Sequence, residues 1–370
     1  MKKSLGLVSL LASSVAMAAP SNDELQQQIN ELRAQLEATA DAVENTATGS
    51  AVSIGGYGEL HYNNEQGGDN QIDLHRFVLF IGKELNSTTR FFSEFEVEHS
   101  LAGEGKPGEV EIEQAFIEKD INDSLSAKAG LFLIPVGILN ETHEPDTFYG
   151  VERNNVEKNI IPATWWEGGF GVTGKTEAIT YDVALHSGLN IDVAGAGKYK
   201  PRDGRQKVAE AAANDLAVTA RVNYKPAAGI SLGATFQYQE DVTQGTASIE
   251  GQLIEAHAVV EQGDLALRAL YAQWTFDDKI TTFKDGAEKQ SGFYLEPAYK
   301  VSNELGVFAR YSSYDNLAGN SADSAVNETT VGANYWLAET VVLKFDYNQK
   351  DDTSSDTTTD TLNLGVGYSF

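Results

Sequence analysis

From Val52 to the end of the chain, apolar side chains recur at every second position. Ile230, Leu232, Ala234, Phe236 and Tyr238 are interleaved with Ser231, Gly233, Thr235 and Gln237. Val341, Leu343, Phe345 and Tyr347 are interleaved with Lys344, Asp346 and Asn348. A period of two is that of a strand with one greasy and one polar face. The pattern predicts sixteen strands, near 52–63, 71–85, 88–99, 109–119, 124–134, 166–176, 179–187, 215–224, 229–240, 249–260, 265–276, 290–300, 304–314, 326–336, 340–350 and 360–370. Their lengths suit a tilted membrane crossing of about 9–11 residues. The connections alternate between short ones, such as Asn86-Ser87 and Leu337 to Glu339, and long ones, such as 64–70, 100–108, 135–165 and 188–214. Short turns at one end and long loops at the other are what a membrane barrel requires, and a soluble sandwich gives no reason for the alternation. The expected fold class is therefore all-β: a transmembrane antiparallel β-barrel of about 16 strands over residues 52–370.

Before Val52 the period changes. Leu25, Ile29, Leu32, Leu36 and Val43 follow a heptad seam, opened by Ser21, Asn22 or Asp23. Residues 22–46 are expected to form a short N-terminal coiled-coil helix, a rod of roughly 33 Å, followed by a flexible linker over 47–51. Met1-Lys2-Lys3, the apolar run Leu5 to Val15 and Ala16-Met17-Ala18 read as a secretory signal peptide over 1–18. No later segment is long and apolar enough for a membrane helix, so a membrane role must come from strands.

Composition narrows the function classes. The chain has 54 acidic against 27 basic residues, a net charge of −27, which argues against a nucleic-acid partner. It has no cysteine, so export would involve no disulfide. Its mean hydropathy of −0.30 resembles that of a soluble protein, as expected when half of every strand faces water. The six histidines form no HExxH, and no GxSxG is present. No catalysis and no cofactor are expected.

If the apolar strand faces meet lipid, the opposite faces line a lumen. Basic lining candidates are Arg90, Lys128, Arg221, Arg268, Lys300, Arg310 and Lys344; acidic ones are Glu59, Glu94, Glu96, Glu98, Asp182, Glu296 and Asp346. Acids dominate the early strands and bases the later ones, so the two sets are expected to face each other and set up a transverse field. The long loop 135–165 mixes prolines, aromatic anchors and charges. It is expected to fold into the lumen as a constriction, with Glu141, Glu144, Asp146, Glu152 and Arg153 near the eyelet. The basic run Lys198 to Lys207 would concentrate anions at a channel mouth, bind the phosphates of surface lipopolysaccharide, or form a solvated loop.

The last strand, with Asn363, Gly365, Tyr368 and Phe370, resembles the C-terminal signal that bacterial outer-membrane proteins present to the barrel-assembly machinery. The whole arrangement resembles the phosphate-selective porin O and P family of Gram-negative bacteria. That resemblance rests on the leader, the coiled-coil segment, Gly55-Gly56-Tyr57-Gly58-Glu59-Leu60 and Leu74-His75-Arg76-Phe77. It continues through Arg90-Phe91-Phe92-Ser93-Glu94-Phe95-Glu96, Gly130 to Gly137 and the closing Phe370. It implies a homotrimer of sixteen-stranded pores in the outer membrane. The loop 135–165 departs from an arginine- and lysine-rich pathway, carrying only Arg153 and Lys158 against several acids. The expected function is a porin for passive diffusion of small hydrophilic solutes and ions. An anion- or phosphate-preferring pore, or a structural protein linking membrane and peptidoglycan, is the alternative.

Overall fold

The structure is a computed structural model and describes residues 52–193 and 199–370. The signal segment 1–18, the coiled-coil stretch 22–46, the linker 47–51 and Lys198 lie outside the described residues.

Sixteen strands close into one antiparallel barrel. In chain order they are β1 (Val52–Glu65), β2 (Gln71–Asn86), β3 (Thr89–Glu98), β4 (Val110–Asn122), β5 (Leu125–Leu133), β6 (Trp166–Lys175), β7 (Ile179–His186) and β8 (Ala217–Ala227). There follow β9 (Ile230–Gln239), β10 (Gly251–Gln262), β11 (Leu265–Phe276), β12 (Lys289–Lys300), β13 (Leu305–Asp315), β14 (Val326–Ala338), β15 (Val341–Asp352) and β16 (Thr357–Ser369). Each strand pairs with its chain neighbours, and β16 returns to β1 with Tyr57 opposite Ser369 and Glu65 opposite Thr361. Phe370 completes the seam by exchanging backbone bonds of 2.9 Å with Gly56. Closure leaves no unpaired edge, the condition for strands to cross a bilayer.

The burial pattern is that of a soluble protein turned inside out. On β9, Leu232 and Phe236 are 42% and 46% exposed, whereas Thr235, Gln237 and Gln239 are at most 4% exposed. Apolar residues therefore face outward, where lipid would meet them, and polar residues face inward. Turns such as 87–88, 123–124 and 228–229 sit at the end that carries the C-terminus, and the long connections sit at the other. We call these the turn end and the loop end; in a membrane barrel the turn end is periplasmic.

The loop between β5 and β6, residues 134–165, lies inside the barrel. It carries one short helix, α1 (Asn155–Asn159), whose N-cap Asn154 accepts the Val156 amide at 2.7 Å. Gly367 on the inner face of β16 leaves the room that Pro145 occupies: a Cβ there would stand 2.4 Å from the proline ring.

The interior departs from expectation in its apolar content. The lumen is not lined by polar residues throughout. Ile134, Val136, Ile160, Ile161 and Trp165 of the inward loop pack with Leu189, Ile191, Ile249 and Ile280 from other long loops and with inward-facing Leu253, Leu270 and Trp274. These side chains build an apolar core against β7 and β10–β12. Near the turn end, the inward rings of Tyr57, Phe80, Phe92 and Phe116 form a chain of contacts at 5.6–5.8 Å. The polar lumen is thereby confined to one side.

Candidate functional site: a charged vestibule and its inner loop

Strand alternation sets the wall of the vestibule. Glu59, His61, Asn63 and Glu65 occupy successive inward positions of β1, and Arg310 and Ser312 do so on β13. With loop residues 151–155 and the basic residues Arg202, Arg205 and Lys207, they enclose a cavity of about 630 Å³. A second cavity of about 200 Å³ lies toward the turn end, between loop residues 146–149 and the 263–268 region of β10–β11. The loop segment 146–155 runs between the two.

That segment is held by its backbone. Asn334 donates to the Phe148 carbonyl at 3.0 Å and accepts the Gly150 amide at 3.3 Å. Arg310 donates to the Tyr149 carbonyl at 2.7 Å, and Asp346 accepts the Val151 amide at 2.6 Å. Further along, buried Glu157 accepts the amides of Ile138 and Leu139 at 3.0 and 2.6 Å and the Tyr294 hydroxyl at 2.7 Å. Burial drives the Glu157 carboxyl above its ordinary value, against the pull of these donors.

The five loop candidates do not share one eyelet. Glu141 pairs with Arg221. Glu144 closes a turn, its carbonyl accepting the Thr147 amide at 3.0 Å. Asp146 accepts the Ser369 hydroxyl at 2.9 Å near the turn end. Glu152 reaches His61 at 3.1 Å and Asn63 at 3.0 Å. Burial opposes its charge, but the His61 contact prevails and pulls the Glu152 carboxyl down to about 2. Arg153 donates to Thr164 and to the His143 carbonyl at 3.0 and 3.2 Å. Of the five, Glu152 and Arg153 line the vestibule and Asp146 lines the inner cavity.

The wall candidates face inward, but the expected separation of acids from bases is not what the structure shows. Three of the expected bases, Arg90, Arg221 and Arg310, find a nearby acid, as does Arg76. Glu59 and Glu96 lie 2.7 and 3.5 Å from Arg76. Arg90 pairs with Glu118 and Asp120 at 3.0 and 2.9 Å. Arg221 pairs with Asp182 at 2.7 Å, and Arg310 with Glu296 at 2.5 Å. Lys128 and Lys344 sit over the rings of Phe132 and Phe148, at 4.6 and 3.5 Å. Glu94 is bonded by Gln114 at 2.8 Å, and Glu98 lines the vestibule. Arg268 donates to the Thr147 carbonyl at 2.7 Å and, with Lys300, lines the inner cavity. Burying a charge without a close partner is costly, and the arginine–carboxylate pairs offset that cost locally.

Several residues outside the expected lining prove central. His61 lies two positions beyond Glu59, so strict alternation points to it. Arg76 sits beside a bulge, where alternation fails. The basic run folds back into the barrel: Arg202 donates to the carbonyls of Lys158 and Ala163 at 3.0 and 2.9 Å, Arg205 donates to that of Thr164, and Lys207 pairs with Glu109 at 2.6 Å and with Glu111. Burial, then mutual repulsion with Arg205, pushes Arg202 below the usual guanidinium range; burial, then Arg202, does the same to Lys158. Only the fold could bring those cations together.

A closed sixteen-stranded barrel with a lipid-compatible exterior, a charged interior and an infolded loop defines an outer-membrane barrel of porin-like architecture. The comparisons agree on the fold. The anion-selective porin from Comamonas acidovorans superposes with a TM-score of 0.62 at 13% identity, over 87% of this chain and 100% of that one. The outer membrane channel DcaP of Acinetobacter baumannii gives 0.61 at 12% identity, over 87% and 98%. No family model matches the chain. An uncharacterized protein of Aquifex aeolicus is 34% identical over 333 residues, covering 81% of this chain and 76% of that protein. The chain belongs to the family of that protein.

Proposed function

We propose that the protein is a general diffusion porin, passing small hydrophilic solutes and ions down their gradients, with segment 146–155 of the inward loop as its constriction. The observation that carries this reading is the pair of cavities, a polar vestibule and a smaller one of mixed lining, on either side of that segment inside a closed barrel. Its vestibule is far less acidic than the chain. Ten carboxylates and eight lysines or arginines line the cavity, against 54 and 27 in the whole sequence. Near-balanced charge filters ions weakly and admits uncharged solutes. Planar-bilayer recordings test it: a stepwise, ohmic conductance with a reversal potential close to zero in a salt gradient is expected. No conductance from folded protein would refute it.

A second reading is an anion-preferring pore. The gathering of Arg153, Lys158, Arg202 and Arg205 on the vestibule wall favours it. A reversal potential of clear anion sign, lost in an Arg202→Gln/Arg205→Gln variant, would replace the first reading with this one. The same protein is proposed to assemble as a homotrimer, to be recognised through Gly365, Tyr368 and Phe370 by the barrel-assembly machinery, and to meet lipopolysaccharide at its loop end. Light scattering in detergent tests the trimer.

A further inference from the structure

Three of the six histidines meet on one stretch of vestibule wall. The ring of His75 on β2 stacks on that of His61 on β1, with centroids 4.6 Å apart, and meets that of His99 edge-on at 5.6 Å. Two local departures from regular strand geometry bring them together. In the β1–β2 register Glu59 faces Arg76 and Leu60 faces Leu74, so His75 is the extra residue of a bulge. The bulge turns His75 into the lumen beside Arg76, where strict alternation would send it outward. Just past β3, His99 and Ser100 take φ values of 52° and 55°, a left-handed conformation uncommon for residues with a side chain. That turn folds His99 back onto β2.

Asp73 lies between two of the rings. Its Oδ2 is 2.7 Å from His99 Nδ1 and 3.2 Å from His75 Nδ1. One donor atom from each of Asp73, His75 and His99 lies within 4.8 Å of the others, and His61, His75 and Glu152 form a second such trio.

We propose that Asp73, His75 and His99 bind a divalent transition-metal ion of the zinc class at the vestibule wall, with water completing the shell and His61 and Glu152 as adjoining donors. Imidazole nitrogen with carboxylate oxygen is the donor set that zinc, nickel and copper take, whereas magnesium and calcium take oxygen alone. Metal–ligand bonds of about 2.0–2.1 Å place tetrahedral ligands roughly 3.4 Å apart. Asp73 Oδ2 stands 2.7 and 3.2 Å from the two ring nitrogens, slightly inside that spacing, so an ion is accommodated by a small opening of these contacts. The His75 and His99 side chains are 26% and 29% exposed, on a wall open to the cavity, so they have room to open.

The test is calorimetric titration of the folded, full mature chain in detergent with ZnCl2, and with MgCl2 as the control cation. Saturable binding of one zinc per chain is expected, with no heat from magnesium. His75→Gln and His99→Gln should each weaken zinc binding by more than about 100-fold, since even loss of an outer partner of a metal ligand costs 10–100-fold. His257→Gln, whose histidine pairs with Glu255 on β10, should bind zinc as the parent does. Heat-modifiable migration on gels reports folding of each variant. X-ray absorption of the zinc-loaded parent needs no variant and should show a mixed nitrogen and oxygen shell with two imidazoles. Undiminished binding in both vestibule variants, no binding by the parent, or an all-oxygen shell would overturn the site.

Discussion

The backbone clamp on the inward loop can be broken while the barrel's main-chain ladder stays intact, at the loss of one wall contact, from Asn363 to Asp346. In an Asn334→Ala/Asp346→Ala variant the loop loses three hydrogen bonds, to Phe148 O, from Gly150 N and from Val151 N. The two bonds to a neutral amide contribute about 1 kcal/mol each and the one to a carboxylate about 2, roughly 4 kcal/mol together. At 1.4 kcal/mol per decade, a dislodged loop becomes up to about 1,000-fold more populated. Arg310 still holds the Tyr149 carbonyl, so displacement stays partial and reversible. The β14–β15 ladder is main-chain and survives both substitutions. Single-channel recording should show a higher mean conductance with more open-channel noise, while heat-modifiable migration stays that of the parent. A folded double variant with parental conductance and noise would refute both the clamp and the role of 146–155 as the constriction.

Three further predictions follow from other contacts. Glu157→Gln should keep the loop in place, because one acceptor oxygen remains and the amide can donate to Tyr294; Glu157→Ala should loosen it by about 2–3 kcal/mol, read as open-channel noise. The Glu157 carboxyl sits above its ordinary value of 4.5, so its contribution is full below that pH and is lost as pH rises through the folded value; noise in the parent should grow with rising pH, and Glu157→Gln should remove that dependence. Gly367→Ala drives a methyl against the stiff Pro145 ring, at an overpacking cost of about 1–3 kcal/mol; conductance should change while gel migration does not. Deleting Phe370 removes the paired bonds to Gly56 that finish the seam, so folded protein in the outer membrane should fall while export to the periplasm continues, as cell fractionation would show.

Alternation made most of the fold legible. In a sealed barrel every strand side chain faces either lipid or lumen, so a period of two registers along each strand, and the sixteen expected segments match the sixteen strands. The pairing of β16 with β1 follows from closure, which leaves the first and last strands only each other as their second neighbour. Glu59, Glu94, Glu96, Arg221 and Arg310 were found as inward residues by the same rule. It failed at His75 and Arg76, because one extra residue in a bulge reverses the side-chain facing and leaves no signature in composition.

The sequence by itself determined the strand count, the greasy exterior and the identity of the long loops, since each follows from short-range periodicity set by the bilayer. Only the tertiary structure decided how the lumen is used. The apolar core under the loop end, the Asn334, Arg310 and Asp346 clamp on 148–151, the fold-back of Arg202 and Arg205 and the meeting of His61, His75 and His99 join residues from different strands and loops, many of them far apart in the chain. Such contacts depend on chain closure and on the desolvation of charges against particular partners, and a pattern of spacing along one strand carries neither.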